Sequence, residues 1–181
     1  MPDYVRDSYL YRRMMTTLEA MPAVQVHRPT ADVRIDLPYG SLWINPTALY
    51  EPGVTLGSDE AHALEENNYS LITSVYFGDV SILLAGDAEQ DRLTEFMEKV
   101  GDKLTYDIIK IPHHGGYDKA LKPLFEKNKG ERYCMVHVGS EGLVDASLVT
   151  AMRTSGAAAK FTYDGDIAFA TDGISMTVEQ N

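Results

Sequence analysis

Apolar residues recur at helical spacing over 4–20, where Tyr4, Tyr11, Met14, Met15 and Leu18 share one face, and Pro22 stops the pattern. From 23 to 56 it breaks into short β-like pieces: Val24–Val26, Val33–Leu37 and Ser41–Ile44. Pro29, Pro38-Tyr39-Gly40, Pro46 and Pro52-Gly53 punctuate them. Residues 57–68 are polar and acidic and read as a loop or short helix.

The second half is more regular. Two strands, 70–77 and 80–85, flank Gly78-Asp79, a two-residue hairpin signal. A helix follows over 89–100, with Leu93, Phe96, Met97 and Val100 on one face and Gly101 as its stop. A strand at 107–111, a helix at 118–127, a strand at 132–138 and a helix at 147–154 come next. The chain closes with a hairpin of 160–163 and 167–171, turning at Asp164-Gly165, and a further strand at 174–178 after Asp172-Gly173. Strands alternating with helices predict an α/β layer with helices on the sheet face. No repeat, low-complexity tract or linker divides the 181 residues, so 1–181 reads as one domain.

Composition narrows the function classes. Hydrophobic content of 44% and charged content of 24% are those of a globular protein and exclude a disordered chain. A net charge of −11 disfavours binding of nucleic acid through a bare basic surface. Cys134 is the single cysteine, so no disulfide can form within the chain; in the apolar run Tyr133–Val136 it reads as a buried, inert thiol. The N-terminus has no apolar leader and no run approaches the length of a membrane span, so a soluble, cytoplasmic chain is expected.

The candidate chemistry lies where two apolar runs stop. Ser81–Ala85 leads into Gly86-Asp87-Ala88-Glu89, and Asp107–Ile111 leads into Pro112-His113-His114-Gly115-Gly116. A carboxylate and an imidazole pair at the tips of neighbouring buried strands are what a metal site needs: rigid supports, hard and borderline donors, and glycines that admit close approach. Each motif also has a plainer reading. Asp87 can cap the helix that follows, and His113-His114 can be a polar turn. His137, inside the strand 132–138, reads as a satisfied core histidine, and His62 as a solvated one.

Four stretches taken together carry a resemblance: Asn67–Leu71, Leu83–Glu89, Ile109–Gly116 and Val136–Gly139. In order and spacing, over about 65–175, they resemble the metallo-β-lactamase superfamily. Within it they are most similar to the hydrolase domain of the DNA-uptake competence protein ComEC and its free-standing relatives. The resemblance implies an α/β, αββα sandwich of two similar halves, with one or two zinc or manganese ions at the edge between them. It implies Asp87 as the bridging carboxylate, His114 as the late histidine ligand, and His113 beside it as a ligand or an acid/base group. Asn68 and Gly115 would line the substrate pocket. A metal-bound water would attack a phosphodiester or related ester, in a small molecule or a nucleic acid.

The family's histidine cluster, His-x-His-x-Asp-His, has no counterpart in these 181 residues, and Gly142–Asp145 stands where many relatives have Gly-His-Pro. The expected fold is therefore incomplete, the C-terminal half plus a partial preceding segment. The chain reads as a metal-dependent hydrolase that is inactive or incomplete alone, with metal bound weakly or not at all. The rival reading is a non-catalytic half-fold module that acts in oligomerisation or partner binding. A third is an enzyme completed by another chain. Either way, a homo-oligomer or a missing N-terminal half would cover the exposed side of the sheet.

Overall fold

The computed structural model describes residues 4–49, 53–56, 66–101, 105–128 and 132–181. It is a mixed α/β structure built on a seven-stranded sheet. In order across that sheet run β2 (Val33–Leu37), β3 (Gly40–Asn45), β5 (Ile72–Phe77), β6 (Val80–Leu84), β7 (Ile108–Lys110), β8 (Tyr133–Val136) and β9 (Ala158–Phe161). Pairing is antiparallel from β2 to β6 and parallel from β6 to β9.

Three helices make the parallel crossovers: α2 (Gln90–Val100), α3 (Leu121–Lys127) and α4 (Ala146–Ser155). The strand order advances in one direction through β6, β7, β8 and β9. Right-handed crossovers that advance one way must put every helix on the same face. The core forms there. Leu83, Ile109 and Cys134, consecutive partners across β6, β7 and β8, pack with Leu93 and Phe96 of α2, Leu121 and Leu124 of α3, and Leu148 and Met152 of α4. Gly101 and Gly156 end α2 and α4 in the positive-φ conformation expected of helix-stopping glycines.

The opposite face of the sheet is apolar too. Alternation along each strand places Val33, Ile35 and Leu37 of β2 beside Leu42 and Ile44 of β3, then Val75, Ile82 and Ile108. A hairpin of β10 (Ile167–Thr171) and β11 (Met176–Gln180) covers part of it. Phe169 meets the Tyr133 ring edge-on at 5.7 Å, and Gly173 O accepts the Asp79 N–H at 2.6 Å. That approach is close enough that a Cβ on Gly78 would sit 2.3 Å from Gly173 O, so the β5–β6 turn needs its glycine. Ile108 is buried, whereas Val33, Ile35 and Leu37 remain 38–49% exposed at the other side of the sheet.

Three expectations are corrected. The helix placed at 4–20 begins as a strand: β1 (Tyr4–Arg6) pairs in parallel with β4 (Val54–Leu56), and α1 spans Tyr9–Glu19 with Ser8 as its cap. There Tyr4 meets the Tyr69 ring at a tilt, with centroids 5.3 Å apart, instead of continuing the helical face. Val24–Val26 forms no strand. β9 does not pair with β10; it extends the main sheet parallel to β8, and the terminal hairpin is β10 with β11. The Gly78-Asp79 hairpin, the α2 face and the strands at 107–111 and 132–138 stand, the strands shortened at their ends. The expectations for 57–65, with His62, lie outside the described residues. No helix of the described residues is long and apolar enough to cross a membrane.

Candidate functional site

Four parallel strands deliver their carboxyl ends to one edge, the place where α/β sheets gather ligand-binding groups. Leu84 pairs with Lys110 across β6 and β7. Asp87 and His113 each follow those partners by three residues, so both lie just past the ends of adjacent strands. His114 comes next in the chain, and His137 lies just beyond β8.

The Asp87 turn is pinned from two sides. Gly86 adopts φ +61°, and a Cβ there would meet the Ser70 side chain at 3.2 Å. Ser70 Oγ accepts the Asp87 N–H at 3.2 Å. On the other side, the Lys110 ammonium donates to Gly86 O at 2.9 Å and stands 3.8 Å from Asp87 Oδ1. Burial lowers the Lys110 pKa, and the Asp87 carboxylate partly restores it. The Asp87 side chain itself is 46% exposed. It does not cap α2: Glu89 holds the N-cap position without a side-chain bond to the helix.

His113 is held in the left-handed region at φ 54°, the one non-glycine residue with positive φ among the described residues. Its Nε2 lies 2.9 Å from Glu89 Oε1, and Asn67 Nδ2 donates to the same oxygen at 2.9 Å. Asn67 Nδ2 is also 3.3 Å from His113 Nε2. The carboxylate can only accept, so Nε2–H and Asn67 both donate to Glu89, and in a neutral ring the lone pair lies on Nδ1.

His114 takes the opposite tautomer. Its Nδ1 lies 3.0 Å from the carbonyl oxygen of His137, which can only accept, so Nδ1–H donates and in a neutral ring Nε2 carries the lone pair. A histidine whose second nitrogen is tied to a backbone carbonyl is oriented as metal-ligating histidines usually are. The His137 ring, 5.5 Å from that of His114, is exposed, so the expectation of a core histidine is corrected. Its backbone contributes what its side chain does not.

Asn68 and Gly115 have structural work. Asn68 is buried, and its Oδ1 accepts the Arg92 N–H at 3.3 Å, supplying a bond at the start of α2. Gly115, at φ +101°, is buried against Val144, and its carbonyl accepts the Asp145 N–H at 2.8 Å. Asp145 then caps α4 through Ser147 N. That gives Asp145 a structural role of its own.

Sequence reading assigned no role to Glu89, Asn67 or Lys110. All three lie inside or beside the motifs that were singled out, but their pairings depend on where strands end. A groove of about 520 Å³ between α3 and α4, bordered by Tyr117, Phe125 and Thr150, is a separate feature of the helical face.

As a metal centre the donor set is short. Asp87 offers a carboxylate and His114 an Nε2, while His113 Nε2 is committed to Glu89. No group of three or more His, Cys, Asp or Glu side chains placed to hold a metal ion occurs among the described residues. Two donors do not fill the three or four protein positions of a zinc site. No protein-family model, curated protein or solved structure matches the chain.

Proposed function

We propose that this chain is a metal-dependent hydrolase with the metallo-β-lactamase fold, acting on a phosphodiester or related ester and incomplete as a catalyst alone. The observation that supports it is the register of β6 and β7, which sets Asp87 and His113-His114 just past adjacent parallel strand ends. The opposed tautomers of the two histidines add to it. In this reading Asp87 and His114 Nε2 are donors to zinc or manganese, and His113, oriented by Glu89, stands beside the substrate. The described residues supply too few donors to close the coordination sphere, so the remaining ligands come from another segment or chain, and no chemical step is assigned to the ion.

One observation favours a second reading, a non-catalytic module that works by association. The sheet face away from the helices keeps Val33, Ile35, Leu37, Phe77 and Leu84 each more than a third exposed, a surface suited to a further layer.

Metal content and turnover separate the two. The hydrolase reading expects weak zinc or manganese binding by the purified chain, reduced in both D87A and H114A, with poor or no turnover of bis(p-nitrophenyl) phosphate. Binding that ignores both substitutions, or none at all, favours the second reading. Stoichiometric metal after dialysis, with turnover abolished by D87A, would mean that the site is complete in this chain.

A further inference from the structure

β2 is the outer strand of the main sheet, and all five of its residues are exposed. Edge strands are commonly guarded by charged side chains, prolines or bulges that discourage a second strand. β2 carries charges of both signs and no proline within Val33–Leu37. Val33, Ile35 and Leu37 point to one face, and Arg34 and Asp36 to the other, with side chains 69% and 75% exposed. The two charges have opposite sign, sit two positions apart and pair with each other at 2.8 Å within the strand, an exposed pair that two cross-strand pairs can replace. Such a strand is complementary to itself.

An antiparallel partner identical to β2, related by a two-fold axis through Ile35, meets it in one register. Arg34 faces Asp36 of the second copy, and Asp36 faces its Arg34. Val33 faces the second copy's Leu37, and the two Ile35 side chains meet at the axis. A parallel, in-register partner would set Arg34 against Arg34 instead. The backbone agrees with the antiparallel choice. Leu37 and Gly40 flank the two-residue turn Pro38-Tyr39 and face each other across it. In an antiparallel ladder bonded pairs alternate with unbonded ones, so the N–H and C=O groups of Arg34 and Asp36 turn outward, away from β3. They are the groups a second strand needs.

We propose that two copies of this chain associate through β2, antiparallel and centred on Ile35, and so continue the main sheet across a two-fold axis. The partner is a second copy because the charge pattern fits itself in this register and no other observed feature is required. The contact is small against the roughly 1,200–2,000 Å² of a stable interface, so the dimer is weak and populated at high micromolar concentration. The proposal does not depend on the hydrolase reading.

Sedimentation equilibrium from low micromolar to submillimolar protein tests it. The unmodified chain is expected to show a monomer–dimer equilibrium. R34D and D36R each put like charges at both cross-strand positions and should weaken association by on the order of tenfold or more. An equimolar mixture of the two variants pairs opposite charges again and should recover dimer, as should the double variant R34D/D36R. Slower amide exchange at Arg34 and Asp36 with rising concentration locates the contact. An unmodified chain that stays monomeric throughout overturns the proposal. So does a dimer that neither single variant weakens, or variants that do not recover on mixing.

Discussion

His113 Nε2 lies 2.9 Å from Glu89 Oε1, which ties the turn after β7 to the residue that opens α2. Glu89 and Asp87 leave the same strand, β6, yet face different partners: Glu89 takes the imidazole and Asp87 the Lys110 ammonium. The edge therefore holds two separate pairs rather than one cluster.

The two histidines should show opposite tautomers. With both rings neutral, long-range proton–nitrogen spectra are expected to give Nε2–H for His113 and Nδ1–H for His114. Glu89→Ala removes the acceptor for His113 and should shift that ring alone toward a mixture, since His114 is held by the His137 carbonyl at 3.0 Å. Identical tautomers in the unmodified chain would contradict the assigned bonding.

Backbone strain at His113 gives a stability test. A non-glycine residue in the left-handed region costs of the order of 1 kcal/mol, and His113 has φ 54°. Both His113→Gly and His113→Ala lose the Glu89 bond, but only glycine relieves the strain. Urea unfolding should find the glycine variant more stable than the alanine one by about 1 kcal/mol. Equal stabilities would mean that the turn relaxes without penalty.

Lys110 bears on any cation at Asp87. Its ammonium, 3.8 Å from Asp87 Oδ1, competes with a metal for the same carboxylate. Lys110→Met keeps the stem and removes the charge. Calorimetric titration with zinc should show the variant binding about tenfold more tightly, a modest gain because Asp87 is nearly half exposed and the pair is screened. Weaker zinc binding in the variant would mean that Lys110 supports the Asp87 turn more than it repels the ion, through its bond to Gly86 O.

The parts of this fold legible in the sequence were those set by local pattern. The Gly78-Asp79 turn, the stripe of Leu93, Phe96 and Val100, and the Gly101 stop are each decided within a dozen residues. What the sequence left open depends on distant pairing. Tyr4 forms a strand because β4 and Tyr69 lie beside it, not because its neighbours disfavour a helix. β9 joins β8 because α4 carries it across the sheet, although Asp164-Gly165 looks like a hairpin turn. At the candidate site the strand tips were readable, as apolar runs ending in Asp87 and His113. Which acid meets which base was not, since Glu89 and Lys110 acquire their partners only from the register of β6 against β7.

Alkaline pH should loosen the fold in a defined window. Burial pushes the Cys134 thiol up to about 12 from an ordinary value near 9.0. Burial also raises the Tyr106 hydroxyl, which shares a 2.8 Å bond with Ser74 Oγ. Both groups stay protonated in the fold while the unfolded chain releases its protons. Stability is therefore complete below about pH 9 and falls as pH rises toward about 12. Urea unfolding across that range should show the decline, and Cys134→Ala should flatten part of it. Ellman's reagent at pH 8 should react with Cys134 only as fast as the protein unfolds. Rapid labelling of the native chain would show that the thiol is open to solvent.

Arg92 is the buried charge on which the Asp87 turn rests. It is fully buried, and its guanidinium is shared out among four acceptors: Ser70 O at 3.0 Å, Glu95 Oε2 at 2.9 Å, and Asn45 O and Oδ1 at 2.6 and 2.7 Å. These bonds fasten the end of β3 and the approach to β5 onto α2, and Ser70 in turn holds the Asp87 N–H. Burial lowers the Arg92 pKa and the Glu95 carboxylate opposes that shift. Replacing a whole buried ion pair by apolar groups can be neutral, but Arg92→Met takes the guanidinium from Ser70 O and both Asn45 acceptors and leaves Glu95 only its bonds from Thr47 and Ala48. Unfolding in urea should show a loss of about 3–5 kcal/mol with the dependence on denaturant unchanged. Arg92→Lys keeps the charge without the planar fork and should recover only part of that loss. If Arg92→Met cost less than about 1 kcal/mol, within the range of an ordinary surface change, the four bonds would not be what fixes Ser70 under Asp87.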